Sequence, residues 1–458
     1  MSDDASGAAR ADTDRLAAAL ERQDPAGEVR PAGPGDAVDG VRPQVVARPT
    51  SVAGVSALLA EAASQGLAAV ARGGGTALDW AAPPERAGLL LETAGLDRLV
   101  EHEAGDLVAV AEAGLPVAAL LETVGRSGQE LVVDLPPSRL AGGSTVGGTL
   151  ATGSSGPRRL QRGALRDLVL GATVVLADGT VAASGGKVVK NVAGYDLAKL
   201  MTGSYGTLGV IVRAAFRLHP VRPARRWVVA TGDPADVATR ARDVVTSQLA
   251  PAAVELDRSA WSREATVAVL LEGQEAAVVA RAREAAALTG GEVVSTPPEW
   301  WAALPDDGAG VLGSGEGRPA DGVLVKATAT LTGVVRLLEA ARAAEDTHGA
   351  GVAVRGTAAG VLYVAIGPSG GPGGAVAPGG VTASGGSDPA AVAGVVHHLR
   401  AAAPSPRDGT VTVLRAPRAV RAAVDAWGPV AGLDLMRAIK HRLDPGRNLA
   451  PGRFVGGI

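Results

Sequence analysis

Organised patterning of apolar and polar positions begins at Val45. The segment VVARPTSVAGVSALLAEAASQGLAAVARGGGTAL, residues 45–78, predicts a strand, a turn, a helix and a second strand that ends in a glycine loop. Ser51 or a neighbouring residue is the expected N-cap of the helix, and Gly66 is its expected stop. Because glycine has no Cβ, such a loop lets backbone N–H groups approach a ligand closely.

The first 40 residues differ from this pattern. They are rich in Ala, Asp, Gly and Pro, and residues 12–22 alone predict a short amphipathic helix. We expect the rest to be loop, so that residues 1–40 form a partly flexible arm.

A second organised stretch follows. GLLLET, LVAVAEAG and ELVVDLPP predict strands, and LVLGATVVLADGTV predicts a strand, a tight turn at Asp178-Gly179 and a return strand. Glycine-rich segments, STVGGTLATGSSG and GSYGTLGVI, lie on either side of this hairpin. Several such loops in one domain indicate a large cofactor that carries phosphate rather than a small substrate.

From about Arg225 the pattern changes to an alternation of strands and helices. WVVAT, AAVEL, TVAVLLEG, GEVVS, GVLVKATAT, VAVRG and GVLYVAIG predict strands, with amphipathic helices between them. This order favours antiparallel strands with helices on one face, in keeping with two copies of a strand–helix–strand unit. Pro220 to Pro223 marks the boundary before this region.

Composition narrows the functional classes. The chain has no cysteine, which excludes disulfides, thiolate metal sites and an iron–sulfur cluster held by this chain alone. A net charge of −3 with 2% aromatic residues gives no sign of nucleic-acid binding. The acidic start of the chain is unlike a signal peptide, and no apolar stretch approaches about 20 residues. We therefore expect a cytoplasmic protein that would reach a membrane only through a partner.

The glycine loop after the strand LAAVA does not match the common nucleotide-binding motifs. RGGGTAL lacks the Gly-Lys-Ser/Thr of a Walker loop and the spacing of a Rossmann loop. It is either an anion-binding nest or a simple turn at the end of a strand. Residues 367–371 fit the Gly-x-Ser-x-Gly pattern, but they lead into a Gly/Pro-rich loop instead of the helix that a nucleophile elbow requires.

Taken in order, these loops resemble the FAD-binding domain of the vanillyl-alcohol oxidase family, also called the PCMH-type domain. The resemblance covers residues 45–220 and the tail LDPGRNLAPGRF, and the pattern is most similar to the FAD-binding subunits of glycolate oxidases. It implies an α+β fold with a two-part FAD-binding domain, an α/β cap domain with an antiparallel sheet, and a tail that returns to the FAD domain. The expected segments are residues 1–40, 41–222, 223–425 and 426–458.

The resemblance also assigns cofactor-binding positions. It places the following residues beside FAD: Arg72, Gly73, Gly74, Gly75, Thr76, Ala77, Leu78, Pro136, Thr145, Gly147, Gly148, Ala151, Thr152, Gly153, Gly156, Val210 and Ile211. A further family motif near the flavin corresponds to Lys190, Asn191, Gly194, Tyr195 and Asp196. The alternative for this last group is a helix cap with a packing cluster.

Departures from the family pattern bear on how the flavin is attached, on metal binding and on the residues of the tail. Thr76 stands where some relatives carry a histidine that bonds to the flavin, so non-covalent FAD is expected. No metal site is expected, because no set of the six histidines has metal-ligand spacing: His102, His219, His348, His397, His398 and His441. His441 is the best single candidate for a site histidine, with a surface helix position as the alternative. Ala450 replaces a usual asparagine, and Arg453 is expected either to reach cofactor or substrate carboxylate or to lie on the surface.

The implied chemistry is FAD-dependent oxidation of a 2-hydroxy acid such as glycolate. The expected assembly is a hetero-oligomer with a homologous flavoprotein subunit and an iron–sulfur subunit, since this chain holds no cluster of its own. One alternative is an accessory FAD-binding subunit without turnover of its own. Another is a stand-alone oxidase of a different alcohol or hydroxy acid. No catalytic base is identified from the sequence.

Overall fold

The computed structural model describes residues 2–186, 196–307, 322–369 and 387–458. Of the predicted flavin-side motif, Lys190, Asn191, Gly194 and Tyr195 lie outside the described residues. Asp196 is described, and its side chain accepts a hydrogen bond from the amide of Lys199 at 3.2 Å at the start of a short helix. The helix-cap alternative therefore holds for Asp196.

The first part of the chain forms a small mixed sheet. Strands β2, β4 and β3 are parallel, and β1 adds to the edge of the sheet in the antiparallel sense. The elements are α1 (Ser2–Gln23), β1 (Glu28–Pro31), β2 (Val45–Arg48), α2 (Val52–Ser64), β3 (Ala69–Arg72) and β4 (Leu89–Glu92). The predicted cap of α2 is confirmed, because Ser51 accepts a hydrogen bond from the amide of Gly54 at 3.0 Å.

The helix predicted for residues 12–22 is present but longer than expected, because α1 begins at Ser2, and β1 lies where loop was expected. Leu16 and Leu20 on one face of α1 are buried in the core shared with this sheet. Asp24 then accepts hydrogen bonds from the amides of Thr50 at 2.6 Å and Ser51 at 2.9 Å. The segment is thus fastened to the start of α2, by contacts that its composition does not reveal.

The second part is an antiparallel sheet of five strands in the order β5-β6-β10-β8-β9. Its elements, with those that follow it, are β5 (Leu99–Glu103), β6 (Val108–Glu112), α3 (Val117–Gly125), β7 (Gln129–Glu130), α4 (Pro137–Ala141), α5 (Val146–Thr152), α6 (Arg159–Arg162), α7 (Leu165–Leu168), β8 (Val169–Val175), β9 (Val181–Gly185), α8 (Leu197–Met201), β10 (Val210–Arg217) and β11 (His219–Pro220). The predicted hairpin is confirmed as β8 and β9.

The strand predicted for ELVVDLPP is mostly wrong. Among the described residues, β7 pairs with β11, and the apolar residues 131–133 and 135 are buried in the core without a ladder partner there. Pro136 and Pro137 have no N–H group and end any ladder there. The apolar run thus indicates burial in the core, which this segment reaches as irregular backbone: the amide of Val133 donates to the carbonyl of Leu131 at 2.9 Å, and Asp134 has φ of 45°.

The third part contains one antiparallel sheet of eight strands, in the order β15-β12-β14-β13-β17-β18-β16-β19. Its elements are β12 (Ala224–Gly232), α9 (Pro234–Thr246), β13 (Ala253–Arg258), β14 (Ala265–Gly273), α10 (Glu275–Thr289), β15 (Glu292–Val294), β16 (Val323–Ala329), α11 (Gly333–His348), β17 (Ala350–Thr357), β18 (Val361–Ser369), α12 (Pro389–Ala402), β19 (Gly409–Arg415) and α13 (Arg418–Ala423). Apolar residues of α9 to α12 pack on one face of this sheet, so the predicted cap is confirmed.

Alternation along β13 decides what the opposite face of the cap sheet carries. Val254 and Leu256 belong to the core under the helices, whereas Glu255 and Asp257 point away from it. Arg355 of β17 is paired with Asp257 and so lies on this same face, opposite the helices. Charged groups therefore line the face of the cap that is turned toward the first two sheets.

The tail returns to the first sheet, as predicted. After α14 (Leu433–Leu443), Leu449 forms a bridge with Ala69 of β3, and the amide of Ala450 donates to the carbonyl of Ala69 at 2.9 Å. Within the described ranges, no helix is both long and apolar enough to cross a bilayer.

Candidate functional site

An open cavity lies where the glycine loop after β3 faces α5; we call it the loop cavity. Its lining combines the two predicted glycine loops with residues from the tail. The lining residues are Val70, Ala71, Gly73, Gly74, Gly75, Thr76, Ala77, Leu78, Arg139, Thr145, Gly148, Ala151, Thr152, Tyr205 and Arg453.

Glycine is required in the loop after β3 because a second loop lies directly against it. A Cβ on Gly74 would overlap the carbonyl oxygen of Gly143, and one on Gly73 would overlap the hydroxyl of Thr145. The close approach is therefore between the two loops. The amides of residues 74–77 make no hydrogen bond to the described part of the chain. These amides are open to an anionic ligand in the loop cavity.

The loop cavity continues into a hollow beside β10. Gly73, Gly148, Ala151 and Tyr205 belong to both linings, and Gly147, Val210 and Ile211 line the extension. A Cβ on Gly147 would lie only 2.7 Å from the side chain of Ala113, which explains the glycine at this position. Predicted cofactor positions at residues 145–152 therefore face one continuous space with Val210 and Ile211 of β10.

Tyr205 is a residue of this space that we did not predict. It adopts a left-handed backbone conformation with φ of 54°, which is uncommon for a residue with a side chain. Its ring packs against Trp427 and Phe454 at centroid distances of 5.9 and 6.0 Å. Burial raises the pKa of its hydroxyl, so the phenol is neutral. The only signal in the sequence was its position inside GSYGTLGVI.

Arg453 reaches the loop cavity from the tail. It is 3% exposed, and its Nη2 donates to the carbonyls of Leu78 at 3.0 Å and Trp80 at 2.7 Å. Its Nη1 is buried and has no hydrogen-bond partner in the described part of the chain. Burial lowers its pKa to about 10, so the guanidinium keeps its charge at neutral pH. The surface alternative for Arg453 is wrong.

A second cavity lies between the cap sheet and the first two parts of the chain; we call it the interface cavity. Its lining includes Pro136, Gly156, Arg159, Glu255, Arg355 and Tyr363. Arg139 lines both cavities, and its guanidinium carbon lies 4.7 Å from the ring centre of Trp80. The two cavities therefore meet at Arg139.

The cap side of the interface cavity is charged. Arg355 donates from Nε to Asp257 at 2.6 Å and from Nη1 to the carbonyl of Leu304 at 3.0 Å, which fixes the plane of its guanidinium. Glu255 lies one side-chain position away on the same face of β13 and is 5% exposed. Burial, with a smaller contribution from the nearby Asp134, raises the pKa of Glu255 to about 8.

Two predicted cofactor positions lie elsewhere. Arg72 points away from both cavities into an ion-pair cluster, with Asp36 at 3.1 Å and with Glu92. Gly153 ends α5 with φ of 60°, so it shapes the end of that helix. The remaining predicted residues line the loop cavity, its extension or the interface cavity.

Arg139, Glu255 and Arg355 were missed from the sequence. The usable signal was the pair of acidic residues at alternate positions in AVELDR, since an apolar strand rarely places two carboxyl groups on one face without a use for them. Arg139 carried no comparable signal, because it is a single arginine in the short segment that forms α4, with no acidic or basic residue beside it in sequence.

The histidines lie apart from both cavities. His441 is exposed on α14, in agreement with the surface alternative. His348 Nε2 and His398 Nδ1 lie 3.2 Å apart between α11 and α12, on the far side of the cap sheet. Among the described residues, no group of three His, Cys, Asp or Glu side chains is arranged to hold a metal ion.

Residues 43–185 match a family model described as FAD binding domain. This part of the chain is an FAD-binding domain. The chain is also 40% identical over 176 residues to a D-lactate dehydrogenase of Archaeoglobus fulgidus, covering 38% of this chain and 39% of that protein. It is 35% identical over 201 residues to the glycolate oxidase subunit GlcE of Escherichia coli, covering 43% and 53%. The chain thus matches about half the length, or less, of these relatives.

The fold extends over almost the whole chain. A xylooligosaccharide oxidase from Myceliophthora thermophila C1, solved with xylobiose, superposes with a TM-score of 0.64 over 95% of this chain and 97% of its own. At 16% identity the likeness concerns the fold alone. The FAD-binding domain, the cap and the returning tail of this chain therefore share the overall architecture of that oxidase.

The loop cavity suits FAD. Free amides at residues 74–77 match the oxygens of a pyrophosphate, and the Nη1 of Arg453, which has no partner among the described residues, adds a charged donor. The extension beside Val210 and Ile211 offers a largely apolar surface for a ring system. FAD is therefore the cofactor that both the family match and this donor set indicate.

Proposed function

We propose that this chain is the FAD-binding subunit of an oxidoreductase that oxidises a small 2-hydroxy acid, with glycolate as the first candidate. The observation that carries the proposal is the meeting of the loop cavity and the interface cavity at Arg139. A substrate in the interface cavity would lie beside a cofactor in the loop cavity. The names of the two relatives, a D-lactate dehydrogenase and a glycolate oxidase subunit, favour the same class of substrate.

Bound FAD supplies the acceptor for two electrons from the alcohol carbon. The cofactor-binding role belongs to the predicted glycine loops, with the amides of residues 74–77 and Arg453 holding its phosphates. Arg72 and Gly153 support these loops from outside the cavity. The protein thereby fixes the cofactor at the edge of the interface cavity.

The arginines of the interface cavity orient the substrate in this proposal. Arg355 is held in one orientation by Asp257 and Leu304, and Arg159 and Arg139 add two more guanidinium groups to the lining. A guanidinium binds a carboxylate through two parallel hydrogen bonds, which also fixes the direction of the hydroxyl-bearing carbon. Trp80 and Leu304 belong to a buried apolar cluster beside the cavity and limit access of water.

Electrons must leave the reduced protein through another molecule. The chain has no cysteine, so we propose that an iron–sulfur subunit and a homologous flavoprotein subunit assemble with it. The word subunit in the name of the relative from Escherichia coli supports this. A cytoplasmic location, with any membrane contact made through a partner, stays a prediction.

An anaerobic visible spectrum tests the proposal. The chain is purified, reconstituted with FAD and mixed with glycolate or D-lactate. Bleaching of the flavin band supports a catalytic subunit, whereas a stable band from bound FAD favours the accessory alternative. A folded chain that takes up no FAD would contradict the cofactor assignment itself.

Substitution of Arg355 sharpens this experiment. Arg355→Lys should raise the glycolate concentration needed for half-bleaching on the order of tenfold, because lysine cannot form the bidentate contact. Arg126→Lys is the matched control, since Arg126 is exposed at the end of α3 and far from both cavities. Equal FAD content in both variants shows that the loop cavity is intact.

A further inference from the structure

Glu255 occupies an unusual position for a carboxyl group. It sits in the middle of β13, opposite Ala268 of β14 and Thr357 of β17, and its side chain enters the lining of the interface cavity. Its Oε1 is buried and has no hydrogen-bond partner in the described part of the chain. A buried carboxyl oxygen without a partner lowers the free energy of unfolding. We therefore expect Glu255 to have a function in the interface cavity.

Asp257 provides a comparison on the same face of the same strand. It is bound to Arg355 at 2.6 Å and so serves to hold that arginine. Glu255 lies two residues before Asp257 on β13, and within the described ranges it forms no ion pair of this kind. Of the two carboxyl groups, one is committed to an ion pair and the other is left open to the cavity.

Groups that carry or can carry charge surround Glu255 from its own strand and from several neighbouring elements. They are Asp134 before α4, Arg139 on α4, Arg159 on α6, Asp257 on β13, Arg355 on β17 and Tyr363 on β18, whereas the residue opposite on β14 is the apolar Ala268. Burial, followed by Asp134, raises the pKa of Glu255 to about 8, and the Thr357 hydroxyl and the arginines on α6 and β17 oppose this rise. A carboxyl group tuned in this way exchanges a proton near neutral pH.

We propose that Glu255 is the proton acceptor for the substrate hydroxyl in the interface cavity. This inference rests on the function proposed above. As the alcohol becomes a carbonyl, its O–H bond breaks and the proton passes to the Glu255 carboxylate. The hydrogen on the same carbon leaves with the bonding electron pair to bound FAD, and the product is a 2-oxo acid. Glu255 then returns its proton to water.

Glu255→Gln tests this role, with Glu292→Gln at the exposed edge of the same sheet as the matched control. Both variants should bind FAD like the parent chain. Bleaching by glycolate should slow by about 100-fold or more in Glu255→Gln alone, in the range typical of a lost general base. In the parent chain the bleaching rate should rise with pH and level off above about pH 8, because only the deprotonated form of Glu255 accepts a proton.

A binding measurement gives a readout that does not depend on turnover. The probe is 2-hydroxy-2-methylpropanoate, which has the carboxylate and hydroxyl of a 2-hydroxy acid but no hydrogen to lose from that carbon. Calorimetry should show that its binding to the parent chain weakens as pH rises past about 8, because a negative Glu255 then repels the probe. In Glu255→Gln this weakening should disappear.

The outcomes separate the two proposals. A parent flavin that bleaches with 2-hydroxy acids, while Glu255→Gln bleaches as fast with the same pH profile, overturns the role of Glu255 alone. Probe binding with the same pH dependence in the parent chain and in Glu255→Gln overturns it as well. A bound flavin that no 2-hydroxy acid bleaches in the parent chain overturns the proposed function and this inference with it.

Discussion

Lys440 Nζ lies 2.6 Å from a carboxylate oxygen of Asp444, one helical turn further along, with both side chains almost closed to solvent. The ammonium also donates to the carbonyls of Thr207 at 2.8 Å and Leu449 at 2.9 Å. Asp444 accepts from the amides of Asn448 and Leu449, each at 2.8 Å. The pair therefore fixes α14 and the returning tail to the FAD-binding domain.

Replacing Lys440 with methionine should lower the free energy of unfolding by about 3–5 kcal/mol, as expected for removal of one partner of a buried ion pair. The change leaves Asp444 buried without its cation and removes two bonds to backbone carbonyls. Urea unfolding of the purified chain measures the effect. Lys199→Met, at a half-exposed lysine on α8, should change the value by no more than about 0.5 kcal/mol. Equal losses of unfolding free energy in the two variants would contradict this role of the Lys440–Asp444 pair.

Local patterns were sufficient to predict most elements of the fold. Ser51 and Gly66 bracket α2 because capping and left-handed glycine are decided within a few residues of the helix end. The same holds for the hairpin at Asp178-Gly179. The role of Asp24 could not be predicted from such local patterns, because it depends on the amides of Thr50 and Ser51, which come near Asp24 only in the folded chain.

The candidate site likewise combines residues that the sequence indicated with residues that only the folded chain brings together. The family resemblance indicated the glycine loops, but Arg72 proved to serve an ion-pair cluster, because its partner Asp36 comes from the N-terminal segment. Arg139 and Arg355 lie far apart in sequence and line one cavity only because the cap sheet lies over the FAD-binding domain. Side chains that meet across domains leave no periodic signal in either segment.

Gly74→Ala should weaken FAD binding by about tenfold or more. The added methyl group would overlap the carbonyl oxygen of Gly143, so the two loops must separate, at a cost of about 1–3 kcal/mol typical of overpacking. Fluorescence titration of the FAD-free chain with FAD measures the affinity. Gly125→Ala is the control, because a Cβ there would have no neighbour within 4 Å in the part of the chain that the structure describes. Unchanged affinity in Gly74→Ala would show that FAD does not depend on this loop contact.

Bound FAD should be released by denaturation. Thr76 holds the loop position at which some relatives carry a flavin-linked histidine, and its hydroxyl is engaged with Ser144 at 2.6 Å. The chain also has no cysteine to form a thioether. Acid precipitation of the reconstituted protein should therefore leave the yellow colour in the supernatant. Colour that stays with the precipitate would contradict this, and Tyr205 in the loop cavity would be the first residue to test.

Asp36 should make the stability of the chain depend on acid pH. Hydrogen bonds from Arg30 at 2.6 Å and Arg72 at 3.1 Å hold the pKa of Asp36 well below its ordinary value near 4. Because the folded pKa is lowered, this stabilisation is present above about pH 4 and is lost as pH falls further. Asp36→Asn should therefore cost about 1–2 kcal/mol at pH 7 and progressively less at pH 3 and below, measured by urea unfolding. Asp106→Asn, at an exposed position, is the control, and an Asp36→Asn deficit that is equally large at both pH values would show that the carboxylate charge is not what stabilises this corner.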